Sequence, residues 1–277
     1  IIFERITNKD QGAVYTPRAE VDFMCRMALV KWLEQTTYIE QKDLYHLFFR
    51  EACTGEAYDE YQKQGDFSPN EIRILIERLE NVTICDPAAG SGAFEVGMLQ
   101  VLEQVFDNLY SRNNTPEDLK NSVPSPFERK KTIIAHSLYG VEVKPWAVWI
   151  NHLRLWLTLF VDMPDNLKYS YEPLLPSLTF KVRTGDSLVQ RIGSKTFPVH
   201  GHANISKELK RKITQLKQIK HDFFYNKCKN YHLIEHEEQV IFRAILDDEI
   251  NNLQKHISKL NKPQYKQTTI LEEDYEQ

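Results

Sequence analysis

The sequence predicts an α/β fold in which short strands alternate with helices around a mainly parallel sheet. Three apolar segments, residues 82–85, 137–143 and 179–184, are typical of buried strands. Between them, apolar residues recur every three or four positions, which is the spacing of one buried helix face. Strands that alternate with helices favour a parallel sheet covered on both faces. The 277 residues, of which 42% are hydrophobic, suffice for one large domain with a core, or for one domain and a small appendage.

The first 80 residues are predicted to form a helical N-terminal segment, residues 1–80. Apolar residues keep a helical spacing over residues 21–33 and again over residues 72–79. Each run marks one buried face of a helix, so this segment is expected to contribute helices that pack on the core.

Residues 81–200 form the predicted α/β core. After the first strand, the spacing over residues 94–109 predicts a helix, and residues 111–128, which are rich in Asn, Pro and Ser, predict a loop. A strongly apolar helix is predicted at residues 146–160. Its three tryptophans and neighbouring leucines are expected to lie in the core rather than to form a platform on which bases stack.

Residues 201–262 are predicted to form a hairpin of two long helices, the first basic and the second acidic at its start. The second helix carries an apolar seam from Leu246 to Leu260 with the steps of a heptad pattern. The polar tail, residues 263–277, is expected to be loose. The basic residues that could contact phosphates are Lys207, Lys210, Arg211 and Lys212. The favoured alternative is a solvated basic face paired with the acidic helix.

Charge and cysteine usage narrow the classes of function. The formal net charge of −4 gives no overall basic signature for nucleic acid, so DNA contacts would be local or outside this chain. The four cysteines are scattered without a CxxC pair, which favours neither a zinc site nor a disulfide framework and suits a reducing, cytoplasmic setting. The apolar stretch 146–161 is too short and too polar to span a bilayer. Because the chain starts at Ile1 without a methionine, it is expected to be a fragment.

The strongest functional signal is the string Asp-Pro-Ala-Ala-Gly-Ser-Gly-Ala-Phe at residues 86–94, where a predicted strand gives way to a helix. In an open α/β sheet, ligands bind at the carboxyl ends of the strands. The glycines let the backbone approach a ligand, and the helix N-terminus offers free N–H groups and partial positive charge. The acid precedes the glycines, unlike the dinucleotide pattern GxGxxG. This order suits a ligand that carries an ammonium group as well as a carboxylate.

The string resembles the cofactor motif of S-adenosylmethionine-dependent DNA methyltransferases, most closely those of restriction–modification systems that methylate the amino group of adenine. The resemblance covers about residues 12–190. It implies a Rossmann-like methyltransferase core, S-adenosylmethionine as the cofactor and DNA as the partner.

Two further strings occur in the order of that family. Gly-Ala-Val-Tyr-Thr-Pro at residues 12–17 resembles the segment whose Thr-Pro pair closes over the methionine part of the cofactor. By local chemistry alone, Thr16 is predicted to be the N-cap of a helix and Pro17 to lie in its first turn. Gly-Asp-Ser-Leu at residues 185–188 resembles the segment whose acid accepts from the adenine amino group of the cofactor, although Gly-Asp is also a common turn pair.

The acid of Gly-Val-Glu-Val, residues 140–143, ends the second predicted strand. Such an acid can accept hydrogen bonds from both ribose hydroxyls, and in dinucleotide folds it follows the glycines by about twenty residues. Here Glu142 follows Gly92 by about fifty, because a loop and a helix intervene. Two alternatives are a solvated glutamate at a strand end, and half of a metal-dependent nuclease site formed with Lys144, which lacks a convincing Pro-Asp partner upstream.

The residues predicted to bind the cofactor are Tyr15, Thr16, Pro17, Asp86, Pro87, Ala88, Gly90, Gly92, Phe94, Glu142, Val143, Asp186 and Ser187. The resemblance gives the Tyr-Thr-Pro segment to the methionine moiety, the glycine loop to the position beneath it, the glutamate to ribose and the last aspartate to adenine. No metal ligands are predicted.

The family's catalytic Asn-Pro-Pro-Tyr string, which holds a flipped base, is absent from the 277 residues. We therefore expect the helical hairpin to be an insertion and the catalytic string to follow Gln277 in a parent N6-adenine DNA methyltransferase. This part would bind the cofactor but be inactive alone. The alternatives are a methyltransferase of RNA or protein, and a non-catalytic scaffold subunit that binds DNA or a partner.

Overall fold

A computed structural model describes residues 16–49, 67–168, 176–188, 191–192, 195–196 and 207–260. The chain divides into two compact units. The first comprises Ile1–Pro198 together with Phe224–Lys227, and the second comprises Val199–Phe223 together with Cys228–Gln277.

The first unit begins with the helices α1 (Arg18–Thr36), α2 (Gln41–Phe49) and α3 (Pro69–Glu80). Helices α1 and α3 confirm the helices that were predicted from the spacing of apolar residues over 21–33 and 72–79. Helix α3 starts with a capping box between Ser68 and Glu71, which stabilises a helix start by about 1 kcal/mol.

The start of α1 differs from the prediction. Pro17, not Thr16, is the N-cap residue, and the helix begins one position later, at Arg18. The carbonyl of Pro17 accepts a hydrogen bond from the Val21 N–H at 3.1 Å. The prediction that the Thr16 side chain caps this helix was wrong, because the proline can fill the cap position with its extended ψ of 153°.

Three strands form a parallel sheet in the order β1 (Ile84–Asp86), β2 (Leu138–Glu142) and β3 (Val182–Thr184). The parallel α/β arrangement is therefore confirmed, on a small sheet within a mostly helical unit. Asp86 pairs with Gly140, and Glu142 pairs with Thr184. The carboxyl ends of all three strands thus meet at one edge.

The third strand is shorter than predicted. Residues 179–181 form a turn instead of extending β3, and the Lys181 N–H donates to the Leu178 carbonyl at 2.9 Å. Lys181 also lies over the ring of Tyr139 at 4.0 Å. Apolar residues fill a buried turn as readily as a strand, so the pattern alone cannot separate the two.

The connections between the strands are the helices α4 (Ala93–Tyr110), α5 (Glu117–Asn121), α6 (Pro126–His136), α7 (Pro145–Val161) and α8 (Asp165–Lys168). Helix α4 lies at the centre, because α1, α2, α3, α6 and α7 all pack on it. Helix α5 falls inside the predicted loop 111–128, which was therefore wrong in part. This single turn carries two acids near its N-terminus, and one of them, Asp118, forms an ion pair with Arg73 at 2.9 Å.

A buried ion pair ties α6 to α4. Arg129, 5% exposed, donates from Nε to Glu103 Oε1 at 2.7 Å and from Nη2 to Asp107 Oδ1 at 2.5 Å. Glu103 is itself buried, so losing the arginine would leave its carboxylate in the interior without its counter-charge.

Helix α7 corrects the expectation that its tryptophans and leucines lie in the core. Trp149 is 71% exposed, and Leu153 and Leu157 are more than half exposed. Trp146 and Trp156 are partly buried, and the Nε1–H of Trp156 donates to the Pro176 carbonyl at 2.9 Å. The core-facing side instead carries small and aliphatic residues together with one amide, namely Ala147, Val148, Asn151, Leu155 and Leu159.

The first unit also contains a short antiparallel pair, β4 (Arg191–Ile192) and β5 (Lys195–Thr196), which the sequence did not indicate. The second unit is formed by α9 (Lys207–Phe224), apart from its last residue, and α10 (Tyr231–Leu260). These are the two predicted helices, and an ion pair between Lys220 and Glu238 joins them. No helix in the described parts of the chain is long and apolar enough to cross a membrane.

Candidate functional site

The backbone turns sharply after β1 and forms a loop at the carboxyl edge of the sheet. Gly90 has φ +53° and Gly92, the N-cap of α4, has φ +86°, a left-handed conformation that glycine adopts without strain. The Ala89 N–H donates to the Val141 carbonyl at 3.0 Å. The glycine loop, residues 86–92, therefore packs on β2. The N-terminus of α4, which follows the loop, lies at the same edge of the sheet.

Glu142 accepts one hydrogen bond from this loop and one from the backbone that follows β2. Oε2 accepts from the Gly90 N–H and Oε1 accepts from the Lys144 N–H, each at 2.9 Å. An ionised carboxylate offers about four lone-pair positions, so each oxygen can accept one further hydrogen bond. The side chain can thus organise the loop and still accept hydrogen bonds from two hydroxyls of a ligand.

The segment after β3 joins the same edge. The Gly185 N–H donates to the Glu142 carbonyl at 2.9 Å, and Ser187 Oγ donates to the Pro87 carbonyl at 2.7 Å. Asp186 is exposed, and its Oδ1 accepts from the Leu188 N–H at 2.9 Å. The chain bends at Gly185 and turns at residues 187–188, and Ser187 thereby contacts the glycine loop.

Asp86 is half-buried at the end of β1. Its Oδ1 accepts from the Ala88 N–H at 2.9 Å, whereas the buried Oδ2 has no hydrogen-bond partner among the described residues. Burial raises the pKa of this carboxyl, and the nearby charge of Glu142 adds to the effect. One of the two oxygens is therefore left to bind a ligand.

A second carboxyl lies behind the loop, at Glu95 in the first turn of α4. It is 3% exposed, and neither oxygen accepts a well-formed hydrogen bond from the described residues. Burial, followed by the charge of Asp86, raises its pKa from 4.5 to about 8, against the opposing influence of Asn151 and Arg154. Glu95 is therefore mostly neutral near pH 7 in the protein without a bound cation.

Glycine makes room for the buried polar groups. A Cβ on Gly140 would lie 2.4 Å from Glu95 Oε1, and a Cβ on Gly92 would lie 2.5 Å from Asn151 Cγ. Asn151 is fully buried, and its amide atoms have no hydrogen-bond partner among the described residues. The neighbouring Arg154 reaches the loop directly, donating from Nη1 to the Ser91 carbonyl at 3.0 Å.

A cavity of about 250 Å³ opens between α1, β1 and α4. Its walls are mainly apolar and include Met24 and Ala28 of α1 and Phe94 and Met98 of α4, and Asp86 and Glu95 also contribute to its lining. Cys25 lines the cavity too, but burial raises the pKa of its thiol to about 12, so it is not a nucleophile near neutral pH.

The structure brings most of the predicted site residues together. Pro87, Ala88, Gly90 and Gly92 form one loop with the aspartate before it, and contacts at that loop join it to the glutamate of β2 and the serine after β3. Val143, 60% exposed, borders this edge.

The N-terminal part of the prediction is less defined. Tyr15 lies outside the described residues. Thr16 and Pro17 directly precede α1, the helix whose Met24 and Ala28 line the cavity.

Sequence reasoning missed two residues, Glu95 and Asn151. Helical spacing places Glu95 with Met98 and Leu102, and Asn151 with Ala147, Val148 and Leu155, on faces that are otherwise apolar. A polar residue in such a position is a usable signal. Among the described residues, no group of three or more acidic, histidine or cysteine side chains is placed to hold a metal ion.

Comparison with known proteins shows that part of the chain is similar to DNA methyltransferases. Residues 60–183 match the family model described as MmeI, DNA-methyltransferase domain. A putative type II restriction enzyme and methyltransferase of Methanocaldococcus jannaschii is 35% identical over 118 residues, which are 43% of this chain and 9% of that relative. The chain thus spans a small part of the relative's length. No solved structure matches the chain significantly.

The matched range contains the glycine loop, Glu95 and Glu142. It ends before Asp186 and begins after the Thr16–Pro17 segment, so these two positions depend on local sequence and geometry alone.

Proposed function

We propose that the first unit binds S-adenosylmethionine and belongs to an enzyme that methylates the N6 amino group of adenine in DNA. The observation that carries the proposal is the joined edge of the sheet, where Glu142 accepts from the Gly90 N–H of the glycine loop at 2.9 Å. The similarity of residues 60–183 to DNA-methyltransferase domains supports the same class of reaction.

The charges around the loop suit a cationic ligand. The charge of Glu142 raises the pKa of the Asp86 carboxyl, and the charge of Asp86 raises the pKa of the Glu95 carboxyl, so negative charge is concentrated here. A pyrophosphate at this edge would meet these acids, whereas S-adenosylmethionine carries a sulfonium and an ammonium group. The site residues therefore fit the adenosyl cofactor better than a dinucleotide.

We assign each segment a part of that ligand. Glu142 accepts from the two ribose hydroxyls with its remaining lone pairs, and Asp186 accepts from the adenine amino group. The loop from Asp86 to Gly92 lies beneath the methionine moiety, Phe94 shapes the pocket wall, and Ser187 holds the adenine-side segment against the loop. From the resemblance in sequence we assign Tyr15, Thr16 and Pro17 to the methionine moiety, although Tyr15 lies outside the described residues.

The contribution of this chain to the chemistry is to position the cofactor. When bound, S-adenosylmethionine supplies a methyl group on a sulfonium, which needs no further activation. The residues of the loop and of β2 hold the cofactor rigidly, so that an incoming amine meets the methyl carbon in line. Groups that would hold a flipped adenine belong to an Asn-Pro-Pro-Tyr string, which these 277 residues lack.

The DNA partner and the N6-adenine target belong to the whole parent protein. Lys207, Lys210 and Arg211 of α9 are exposed and remain candidates for weak phosphate contacts, whereas Lys212 lies 3.5 Å from Glu208. The ion pair between the two helices of the second unit favours the alternative of a solvated, internally paired face.

Calorimetric titration with S-adenosylmethionine and S-adenosylhomocysteine tests the cofactor assignment. We expect both ligands to bind the wild-type chain, and Glu142→Ala and Asp86→Ala to weaken binding by about tenfold or more, since hydrogen bonds to charged groups are lost. Glu77→Gln, at an exposed position of α3, is the control and should bind as the wild type does. A folded wild-type chain that binds neither ligand, together with a parent protein that binds neither, would instead support a non-catalytic scaffold.

The substrate assignment needs the parent protein. With labelled S-adenosylmethionine and DNA, RNA or protein as acceptors, we expect label in DNA and recovery of N6-methyladenine from the digested product. Label in RNA or protein, or on a cytosine, would contradict the proposed target while leaving the cofactor assignment intact.

A further inference from the structure

Asp86 and Glu95 contribute to the lining of the same cavity from two different elements. Asp86 pairs in register with Gly140, so the missing side chain of that glycine leaves an open position beside the aspartate on the same face of the sheet. Glu95 Oε1 fills that position from α4, 2.4 Å from where a Cβ of residue 140 would be. Two carboxyl groups therefore lie side by side at one end of an apolar cavity.

The oxygens of this pair are short of donors. Asp86 Oδ2 and both oxygens of Glu95 are buried without a hydrogen-bond partner among the described residues. Leaving a buried carboxyl oxygen without a donor is unfavourable, so such groups usually bind a ligand, an ion or ordered water. The cavity next to them has room for a chain of several atoms and is otherwise lined by apolar side chains.

We infer that Glu95 is a second ligand-binding carboxyl, which together with Asp86 binds the ammonium group at the amino-acid end of the cofactor. The methylene chain of that end contacts the apolar wall formed by Met24, Phe94 and Met98. The inference rests on the proposed cofactor. It adds a residue that lies outside the set predicted from the sequence and gives the cavity between α1 and α4 a defined occupant.

The surrounding charges agree with a cation at this position. Arg154 of α7 is engaged with the Ser91 carbonyl, and the raised pKa of the Cys25 thiol of α1 keeps that group neutral. In the protein without ligand, burial keeps the Glu95 carboxyl largely protonated near neutral pH. An ammonium group beside it would lower its pKa and favour the charged form.

The test compares two ligands that differ only at the amino-acid end. S-adenosylhomocysteine carries the ammonium group, whereas 5′-methylthioadenosine has the same adenosyl and thioether groups without it. Both are titrated into the wild type, into Glu95→Gln, which keeps the size of the side chain, and into the control Glu77→Gln. Glu95→Asp is the second variant, because it keeps the carboxyl but withdraws it by one methylene group.

We expect Glu95→Gln to weaken binding of S-adenosylhomocysteine by about tenfold or more and to leave binding of 5′-methylthioadenosine unchanged. Glu95→Asp should show a smaller loss with the same ligand selectivity. Equal loss for both ligands would mean that Glu95 only supports the fold, and no loss for either would mean that it does not touch the ammonium group. Either result overturns the inference while the proposed cofactor stands. If the wild type binds neither ligand, the proposed cofactor site itself fails.

Discussion

Replacing Glu95 by glutamine should make the first unit more stable at alkaline pH. In the unfolded chain this carboxyl titrates near 4.5, and in the folded protein it titrates near 8, because burial and the charge of Asp86 disfavour ionisation. Between these two values the folded state holds a proton that the unfolded state has lost. Raising the pH therefore lowers the free energy of unfolding until both states are ionised. Glutamine has the same size and no proton to lose.

The size of the effect follows from the two pKa values. At 1.36 kcal/mol per pH unit, the interval from 4.5 to about 8 corresponds to an upper limit of roughly 5 kcal/mol above pH 8. Between about pH 5.5 and about pH 8, the wild type should lose on the order of 3 kcal/mol relative to Glu95→Gln. Below about pH 4 the two proteins should differ little, because Glu95 is then protonated in both the folded and the unfolded state.

Urea unfolding followed by tryptophan fluorescence measures this difference. All four tryptophans lie in the first unit, so the signal reports on the unit that contains Glu95. Glu77→Gln, at an exposed carboxyl on α3, is the matched control and should follow the wild type at every pH. If the stability curves of wild type and Glu95→Gln run parallel from acid to alkaline pH, Glu95 does not titrate in the buried, neutral form that the structure implies.

Two further predictions test the packing of the first unit. Gly92→Ala should destabilise the first unit by at least about 2 kcal/mol in urea unfolding, because the new Cβ would lie 2.5 Å from Asn151 Cγ at a φ of +86°. In the control Gly185→Ala the new Cβ would meet its nearest neighbour at 3.5 Å, so stability should change by well under about 1 kcal/mol. Equal effects of the two substitutions would contradict the close packing of Gly92 against Asn151. Arg129→Met should lower the free energy of unfolding by about 3–5 kcal/mol, because it leaves the Glu103 carboxylate buried without its counter-charge. Adding Glu103→Leu should restore much of that loss. Additive losses in the double variant would refute a buried ion pair.

The position of the site could be predicted from the sequence because its residues follow strands directly. Asp86 and Glu142 each end a strand, and the carboxyl ends of parallel strands share one edge of a sheet. The strands themselves were indicated by short apolar runs. The hydrogen bond between Gly90 and Glu142 could not be predicted, since it joins residues 52 positions apart and depends on how the loop docks on β2.

Helix α7 shows why periodicity alone gives an incomplete core. The helix is apolar on more than one side, so two faces have helical spacing, one through Ala147 and Leu155 and another through Trp149 and Leu153. Spacing identifies a helix but not which of two apolar faces meets the sheet. The face that includes Ala147 packs inward, because small side chains let the helix approach the sheet closely. The face that includes Trp149 points outward.

Glu95 was missed for the opposite reason. A charged residue in the first turn of a helix is common and stabilising at the surface, so the residue type masked the burial that its spacing with Met98 and Leu102 indicates. The bare Cα of Gly140 on the neighbouring strand is what admits the carboxyl, and that contact becomes visible only when α4 is packed on the sheet.

The central claim is that an adenosyl ligand binds where the segments after β1, β2 and β3 meet. Hydrogen–deuterium exchange of the chain with and without saturating S-adenosylhomocysteine tests it most directly. We expect slower exchange in residues 86–94, 140–144 and 185–188 together, with no change in residues 207–223 and 228–260 of the second unit. Protection confined to the second unit, or no protection at the joined edge despite measured binding, would contradict the account.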